Sequence, residues 1–221
     1  MIYYLDIFNF SNSKFWIFKL MGSYTFNKTI FNSSGLEFFK LLGTGSRNGF
    51  SIYPDFSTYV TISSFIDNES RLSFLNHHLF KQMIEKSSFR REKLIEPYQS
   101  KGTWNRINPF KINSPYRDRE ILVLTRARVR PKKILSFLIN TSYASESIKG
   151  FKGVSFYKGV GELPIIEQAT VSIWDNENLM KKYSYENKSH EDIILKSRKQ
   201  NWYSEEMFVR FNVLETREYY E

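Results

Sequence analysis

The chain has 221 residues, of which 41% are hydrophobic and 17% aromatic, a composition typical of a folded globular protein. It contains no cysteine, which excludes disulfides, thiolate nucleophiles, iron–sulfur clusters and thiolate-ligated haem. The net charge of +9 has three possible explanations, which stay open: nucleic-acid binding, an acidic partner or anionic membrane, and compositional bias. Because we find neither a membrane span nor a signal peptide, we expect a cytoplasmic protein and leave peripheral membrane association open.

The first half of the chain predicts an N-terminal extension, residues 1–14, followed by a folded unit, residues 15–100. Apolar residues at helical spacing after Asp67 predict a helix that ends near Ser88. Residues 101–119 combine glycine, proline and polar residues and predict a linker. The runs rich in aromatic and β-branched residues that predict strands are Phe15–Leu20, Phe38–Leu42, Tyr59–Phe65 and Lys93–Tyr98.

Residues 120–221 predict a second unit with the order strand-helix-strand-strand-helix-strand, which is that of a ferredoxin-like fold. Pro131 stands in the first turn of the first helix, where proline is well tolerated. The second helix is predicted from Asn176 to about Lys199. The predicted strands are Ile121–Val129, Val154–Val160, Gln168–Trp174 and Glu206–Leu214.

Two segments of the first unit recur in the second. Gly35–Gly43 is similar to Gly153–Gly161, 118 positions later, and Ser64–Glu69 is similar to Ser172–Glu177, 108 positions later. Each antiparallel sheet would have one face under helices and one face to bury. We therefore predict an α+β fold in which duplicated ferredoxin-like units form a dimeric α+β barrel-type fold within one chain.

A histidine on the last predicted helix distinguishes the second unit from the first. His190 shares one apolar helix face with Tyr183, so its side chain is expected to point inward. An inward histidine can be an ordinary core residue or an axial ligand of haem iron, and both interpretations stay open at this point. Glu205 and Glu206 are candidates for the carboxylate that would orient such a ligand.

Two arginines are candidates for binding an anion. Alternation along Ile121–Val129 places Arg126 on one face of its strand, and on the last strand Arg210 shares a face with Phe208. A buried arginine needs an anionic partner, for which a haem propionate or a bound oxygen ligand is suitable. For Arg128, by contrast, extension of the side chain into solvent is the default.

Other chemistries find little support. The chain has no glycine-rich nucleotide motif between a strand and a helix. His77 and His78 are adjacent and point to different helix faces, so the three histidines form no zinc or non-haem iron site. Redox chemistry would therefore need a cofactor that takes few protein ligands, and haem held by one histidine meets that requirement.

Several motifs resemble the spheroidene monooxygenase family over roughly residues 35–214. The closing run, which holds Tyr183, His190, Arg198 and Trp202–Phe211, is the most specific of them. The other matching segments are Lys40–Gly45, Gly102–Trp104, Leu124–Pro131, Gly159–Pro164 and Gln168–Trp174.

The resemblance implies a haem-dependent monooxygenase that inserts oxygen into a hydrophobic substrate such as a carotenoid, with electrons from a ferredoxin. It implies haem b as the cofactor and His190 as the axial ligand of its iron. Arg126 would be the catalytic donor on the distal side, and Arg126, Arg210, Tyr183 and Phe208 would contact the haem. The basic surface would steer the acidic ferredoxin, and formation of a homodimer stays open.

Two alternatives remain. Relatives with this barrel carry out other haem chemistry, such as the dehydration of aldoximes. A ferredoxin-like sheet can also bind RNA, and Lys149–Phe156 approaches the octapeptide of such modules. That motif is not matched well, because Lys152 replaces a small residue, Gly153 replaces the stacking aromatic, and the segment lies on the second strand instead of the third. Nucleic-acid binding is therefore not favoured.

Overall fold

The computed structural model describes residues 1–21, 23, 30, 35–46, 51, 53–163, 166–186 and 188–221, without the side chains of 141–147, 163, 186, 188–191 and 194. The chain forms two compact units. The first comprises Met1–Thr44, Asp55–Glu96 and Val213–Glu221, and the second comprises Gly45–Pro54 and Pro97–Asn212. Within the described ranges, none of the helices has both the length and the apolar character needed to cross a membrane.

The first unit is built on a four-stranded sheet in the order β2–β3–β1–β4, with β1 antiparallel to both of its neighbours. Phenylalanine rings from strands and helices fill its core, and Phe74 and Phe80 lie 4.6 Å apart between ring centroids. The elements of this half are β1 (Ile2–Asn9), α1 (Phe15–Leu20), β2 (Leu36–Gly45), β3 (Pro54–Phe65), α2 (Asn68–Leu75), α3 (His78–Glu85) and β4 (Phe89–Gly102).

The second unit has a sheet in the order β6–β7–β5–β8, and its registered strand pairs are antiparallel. Arg130 precedes a 3₁₀ turn, Pro131–Lys133, which leads into the first helix. The elements of this half are β5 (Ile121–Val129), α4 (Ile134–Ser147), β6 (Val154–Leu163), β7 (Glu167–Trp174), α5 (Glu177–Glu186), α6 (Lys188–Lys199) and β8 (Tyr203–Tyr220). The predicted α+β class is confirmed.

Three predictions about the first half were wrong. Residues 1–14 are not merely an extension, because they contain β1, which pairs with both β3 and β4. Phe15–Leu20 is a helix instead of a strand, and it fully buries only Ile17, whereas a strand would bury alternate residues. The strand predicted as Lys93–Tyr98 is longer at both ends, because β4 runs from Phe89 to Gly102.

The long helix predicted for the first unit is divided into two, because α2 ends at Leu75 and α3 begins at His78. Apolar periodicity continues across this interruption, since both helices bury one face against the same sheet. In the second unit the helical residues of α5 and α6 lie on either side of residue 187, which is outside the described residues.

The two units share local details that the sequence repeats indicated. The carbonyls of Gly35 and Gly153, 118 positions apart, each accept a backbone hydrogen bond of 2.9 Å, from Ile66 and Asp175 respectively. Both glycines have positive φ, 74° and 90°. The two donors, Ile66 and Asp175, are 109 positions apart. The sequence repeat of Ser64–Glu69 predicts an offset of 108, so the offset in the structure is one residue larger.

The start of the following helix is also equivalent. Asp67 Oδ1 accepts from the Ser70 backbone N–H at 2.8 Å, and Asn176 Oδ1 accepts from the Leu179 N–H at 3.0 Å. These side chains satisfy backbone donors that the first turn of a helix leaves free. The same kind of N-terminal cap therefore occurs at equivalent positions of α2 and α5.

Candidate active site

The strand register divides the predicted site residues between the two faces of the second sheet. Arg126 pairs with Met207 and Val123 pairs with Arg210 across β5 and β8. Directly paired residues share a face, whereas positions 123 and 126 of one strand point to opposite faces. The alternation predicted from the sequence is therefore confirmed, and Arg126 and Arg210 do not lie on the same face.

The face with Arg210 is covered by α5. Tyr183 is buried there, with its ring centroid 5.3 Å from those of both Trp174 and Phe151. Phe208 packs against the same cluster but is only partly buried. Of the predicted site residues, this face brings together Tyr183, Phe208 and Arg210.

Arg210 is anchored by a carboxylate from the helix. Its Nη1 donates to Glu177 Oε1 at 2.9 Å, and its guanidinium carbon lies 5.1 Å from the centre of the Phe208 ring. Glu177 Oε1 also accepts from the Tyr98 hydroxyl at 3.2 Å, and Oε2 accepts from Lys181 Nζ at 2.6 Å. Arg210 is only 7% exposed, yet among the described side chains its Nε has no hydrogen-bond partner. An unpartnered buried donor is costly, so this Nε–H can accommodate an acceptor from a ligand.

Two pKa shifts define the protonation states in this group. Burial raises the pKa of Glu177, but Lys181 and Arg210 lower it by more, so the net pKa is below the ordinary value. Burial, together with the adjacent Glu177 carboxylate, raises the pKa of Tyr98 well above its ordinary value. At neutral pH Glu177 is therefore an anion and Tyr98 keeps its proton.

Arg126 lies on the opposite face of the sheet and is 1% exposed. Its Nη1 donates to Glu205 Oε2, its Nη2 lies 3.4 Å from Glu167 Oε1, and its guanidinium carbon is 5.4 Å from the centre of the Trp104 ring. The anion that the sequence predicted for a buried arginine is thus supplied here by two glutamates of the protein. Within the described part of the chain, the Nε of Arg126 has no hydrogen-bond partner.

Glu205 also holds the loop that follows β4. Its Oε1 accepts from the Thr103 hydroxyl at 2.9 Å and from the Arg106 backbone N–H at 2.7 Å. These contacts and Arg126 outweigh the effect of burial and lower the pKa of Glu205 to about 2. Trp104 Nε1 donates to Glu162 Oε2 at 2.6 Å. Segments that are distant in sequence, and that carry the matched motifs, therefore meet around Arg126.

His190 belongs to α6, but its side chain is outside the described part of the structure. The side chains of two residues that follow His190 by one and two helical turns, Ile193 and Ser197, are described. Ile193 packs against Val129, Phe137 and Trp202, and Ser197 is buried. Among the described side chains, no group of three or more histidine, aspartate or glutamate residues could hold a metal ion.

Sequence reasoning missed Tyr98 and Glu177 on the helix-covered face and Glu167 on the other. Glu177 stands one residue after the cap of α5, which made a solvent-exposed role the ordinary expectation. Glu167 carried one usable signal, because it opens β7 beside the arginine-rich end of β5. Tyr98 offered none, since its partner lies 79 residues away.

Three curated proteins are similar to the chain, and each is called spheroidene monooxygenase. The protein from Rubrivivax gelatinosus is 32% identical over 181 residues, which cover 80% of this chain and 68% of the relative. The protein from Rhodobacter capsulatus is 28% identical over 185 residues, covering 82% and 77%. The protein from Cereibacter sphaeroides is 29% identical over 218 residues, covering 96% and 66%. No family model matches the chain.

Solved structures of aldoxime dehydratase share the fold. One, in complex with butyraldoxime, has a TM-score of 0.62 at 10% identity and aligns with 99% of this chain and 82% of its own. Another has a TM-score of 0.59 at 8% identity, and the alignment covers 96% of this chain and 80% of the aldoxime dehydratase chain. At these identities the likeness concerns the fold alone.

Proposed function

The chain belongs to the spheroidene monooxygenase family, and we propose that it is a haem-dependent monooxygenase that inserts oxygen into a hydrophobic substrate such as a carotenoid. The family predicted from the sequence motifs is confirmed by the relatives, as is the class of enzyme, an oxidoreductase of the monooxygenase type. The haem, the electron donor and the substrate are parts of the proposal.

The residues on the helix-covered face of the second unit suit a haem. Phe151, Tyr157 and Phe208 are partly buried rings beside the core cluster and offer flat apolar surface to a macrocycle. The unpartnered Nε–H of Arg210 suits an anionic group such as a propionate. When bound, the haem iron would supply the activation of oxygen that these side chains cannot provide. The single observation that carries the proposal is this buried donor, unpartnered among the described side chains, beside partly buried rings.

We propose His190 as the protein ligand of the iron. It is the only histidine in residues 97–212, since His77 and His78 belong to the first unit. The described residues that follow it on α6, Ile193 and Ser197, face the core of the second unit. At helical spacing, positions 190, 193 and 197 fall on one side of a helix, which supports this assignment.

The side chains around Arg210 would position the ligand and hold protons. Glu177 fixes Arg210 through Nη1 and so leaves Nε–H as the donor for an anion. Tyr98 holds its proton on a hydroxyl that is bound to Glu177. The surrounding rings would exclude water and bind an apolar substrate.

The proposed role of Arg126 has to be revised. Arg126 is on the other face of the sheet from Tyr183 and Arg210, and it is paired with Glu205 and Glu167. Contact with a haem that is bound on the helix-covered face is therefore inconsistent with its position. We propose that Arg126 fixes Glu205 and through it the 102–107 loop.

The finer part of the fold prediction also belongs to the proposal. We infer that the two units are duplicated ferredoxin-like units of a barrel-type fold. The equivalent strand orders, β2–β3–β1–β4 and β6–β7–β5–β8, support this inference. So do the matching glycines and helix caps.

The net charge of +9 favours an acidic electron donor of the ferredoxin type, because complementary charge accelerates association. A second candidate function is an aldoxime-dehydrating haem enzyme, and the fold shared with aldoxime dehydratase favours it. Because one fold can host different chemistries, product analysis has to separate the two.

The test begins with absorption spectra of purified protein titrated with haem. We expect a strong Soret band that His190→Ala abolishes or shifts, while the matched control His78→Ala, at an exposed position in the first unit, leaves it unchanged. Product analysis with a carotenoid, a reduced ferredoxin and oxygen, and separately with an aldoxime, then distinguishes the two functions. A protein that binds haem equally well without His190 would refute the ligand assignment.

A further inference from the structure

An apolar patch lies on the outer side of two adjacent helices in the second unit. Leu135 and Ile139 of α4 are 72% and 58% exposed, and Leu195 of α6 is 56% exposed. Isolated surface hydrophobics are ordinary, but large apolar side chains that are grouped on one surface mark an interaction site.

Contacts between the helices show that these side chains share one surface. Ser136 Oγ donates to Gln200 Oε1 at 2.7 Å, and Lys196 Nζ donates to Asn140 Oδ1 at 2.5 Å, so α4 and α6 lie side by side in antiparallel directions. Phe137 is buried beneath this pair of helices. Helical spacing then turns positions 135 and 139 of α4, and 195 and 199 of α6, away from the core.

The same surface carries lysines. Lys199 follows Leu195 by one helical turn, Lys196 adjoins it, and Lys132 precedes Leu135 by three residues, all of them exposed. Asp192 is an exposed acid on this side. Apolar side chains bordered by lysines form the amphipathic surface that lies in the interface of an anionic membrane. A second copy of the chain would instead bring like charges together.

We propose that Leu135, Ile139 and Leu195, together with Lys132, Lys196 and Lys199, form a docking surface for an anionic lipid bilayer. The net charge of +9 adds long-range attraction to such a surface. This inference goes beyond the proposed function and does not depend on the haem. Its failure would leave the spectral test of His190 unaffected.

The test is co-sedimentation of the purified protein with phosphatidylcholine vesicles that contain or lack phosphatidylglycerol. We expect binding to the anionic vesicles that weakens as salt is raised. Lys199→Gln should lower the partition constant by about fivefold. Leu135→Ser combined with Ile139→Ser should lower it by at least about tenfold, because the apolar contacts are lost.

Leu72→Ser is the matched control, since Leu72 is an exposed leucine on a helix of the first unit. It should bind vesicles as the parent protein does. Far-UV circular dichroism and thermal unfolding verify that all variants are folded. Undiminished binding of the Leu135→Ser/Ile139→Ser variant, equal binding to both vesicle types, or no binding would overturn the proposal. So would sedimentation velocity showing that the parent is a dimer and this variant a monomer.

Discussion

The two units use the same strand order for different interiors. The first unit packs fully buried phenylalanine rings, among them Phe65, Phe74 and Phe80, beneath its helices. The second unit has Tyr183 at the position equivalent to Phe74, 109 residues later, and packs it between the buried Trp174 and the partly buried Phe151. The comparison indicates that two units with the same strand order can differ in how completely they bury the aromatic rings beneath their helices.

The buried charges differ in the same way. In the first unit Asp6 accepts hydrogen bonds from Arg71 and Arg90, and Glu92 accepts from the same two arginines. Arg71 is on the helix and the carboxylates are on strands, whereas in the second unit Glu177 is on the helix and Arg210 on a strand. Arg71 also has donors without a partner among the described residues, but its guanidinium carbon lies 4.4 Å from the Tyr4 ring centre in the core of the first unit. Arg210 instead lies beside Phe208, which is only partly buried.

The largest expected effect concerns the ion network of the first unit. Asp6→Ala should lower the free energy of unfolding by about 3–5 kcal/mol, because it leaves two buried arginines without this carboxylate. Glu177→Ala should cost less, since it leaves one buried arginine, Arg210, without its carboxylate, while Lys181 is half exposed and can be solvated. Urea denaturation followed by circular dichroism measures both. Lys81→Ala, which removes an exposed ion pair with Glu85, is the control and should change little.

The second prediction compares the equivalent aromatic positions. Phe74→Ala should cost about 3–5 kcal/mol, because it opens a cavity in a closed core. Tyr183→Ala should cost less than Phe74→Ala, since the adjacent Phe151 and Phe208 are partly solvated already. It should also shift the Soret band of the haem-loaded protein, which Phe74→Ala should not. Equal losses of stability and an unchanged spectrum would contradict the proposed difference between the units.

Glycine substitutions give a graded series of smaller effects. Gly150→Ala should cost about 1–2 kcal/mol, because φ is 75° but nothing lies within 4 Å of the added Cβ. Gly153→Ala should cost more, since its Cβ would be 2.3 Å from the end of the Leu179 side chain. Gly35→Ala should cost the most, because its Cβ would be 2.0 Å from Ser70 Oγ, which is bonded to the Asp67 cap. Thermal unfolding checks the order, and a reversed order would show that the two turns are not equivalent.

The smallest effect is a pH dependence that is specific to the second unit. The pKa of Glu205 is about 2, below its ordinary value of 4.5, so its ion pair stabilises the fold fully above pH 4.5 and loses this contribution as the pH falls towards 2. The difference in unfolding free energy between the parent and Glu205→Gln should therefore shrink over that range. Glu37→Gln, at an exposed position of β2, serves as the control. If the difference in unfolding free energy between the parent and Glu205→Gln stayed constant over this pH range, the ion pair of Glu205 with Arg126 would not be the source of the stabilisation.

Local patterns in the amino-acid sequence are sufficient to predict much of the second unit. The bounds of β5 agree with those predicted, because β-branched residues and alternation define a strand locally. The same alternation assigned Arg126 and Arg210 to their faces, and the resemblance of the motifs identified the family. The caps Asp67 and Asn176 were likewise visible as polar residues before helical segments.

The pairing of the buried charges, by contrast, depends on the folded arrangement of the strands. Arg126 and Glu205 are 79 residues apart, and their contact follows from the register of β5 against β8, which no local pattern specifies. Neighbouring elements also decide the structure of β1, which the sequence predicts as an extension, and of Phe15–Leu20, which it predicts as a strand. A short apolar run fits either element, and the choice depends on the neighbours that the folded chain places beside it.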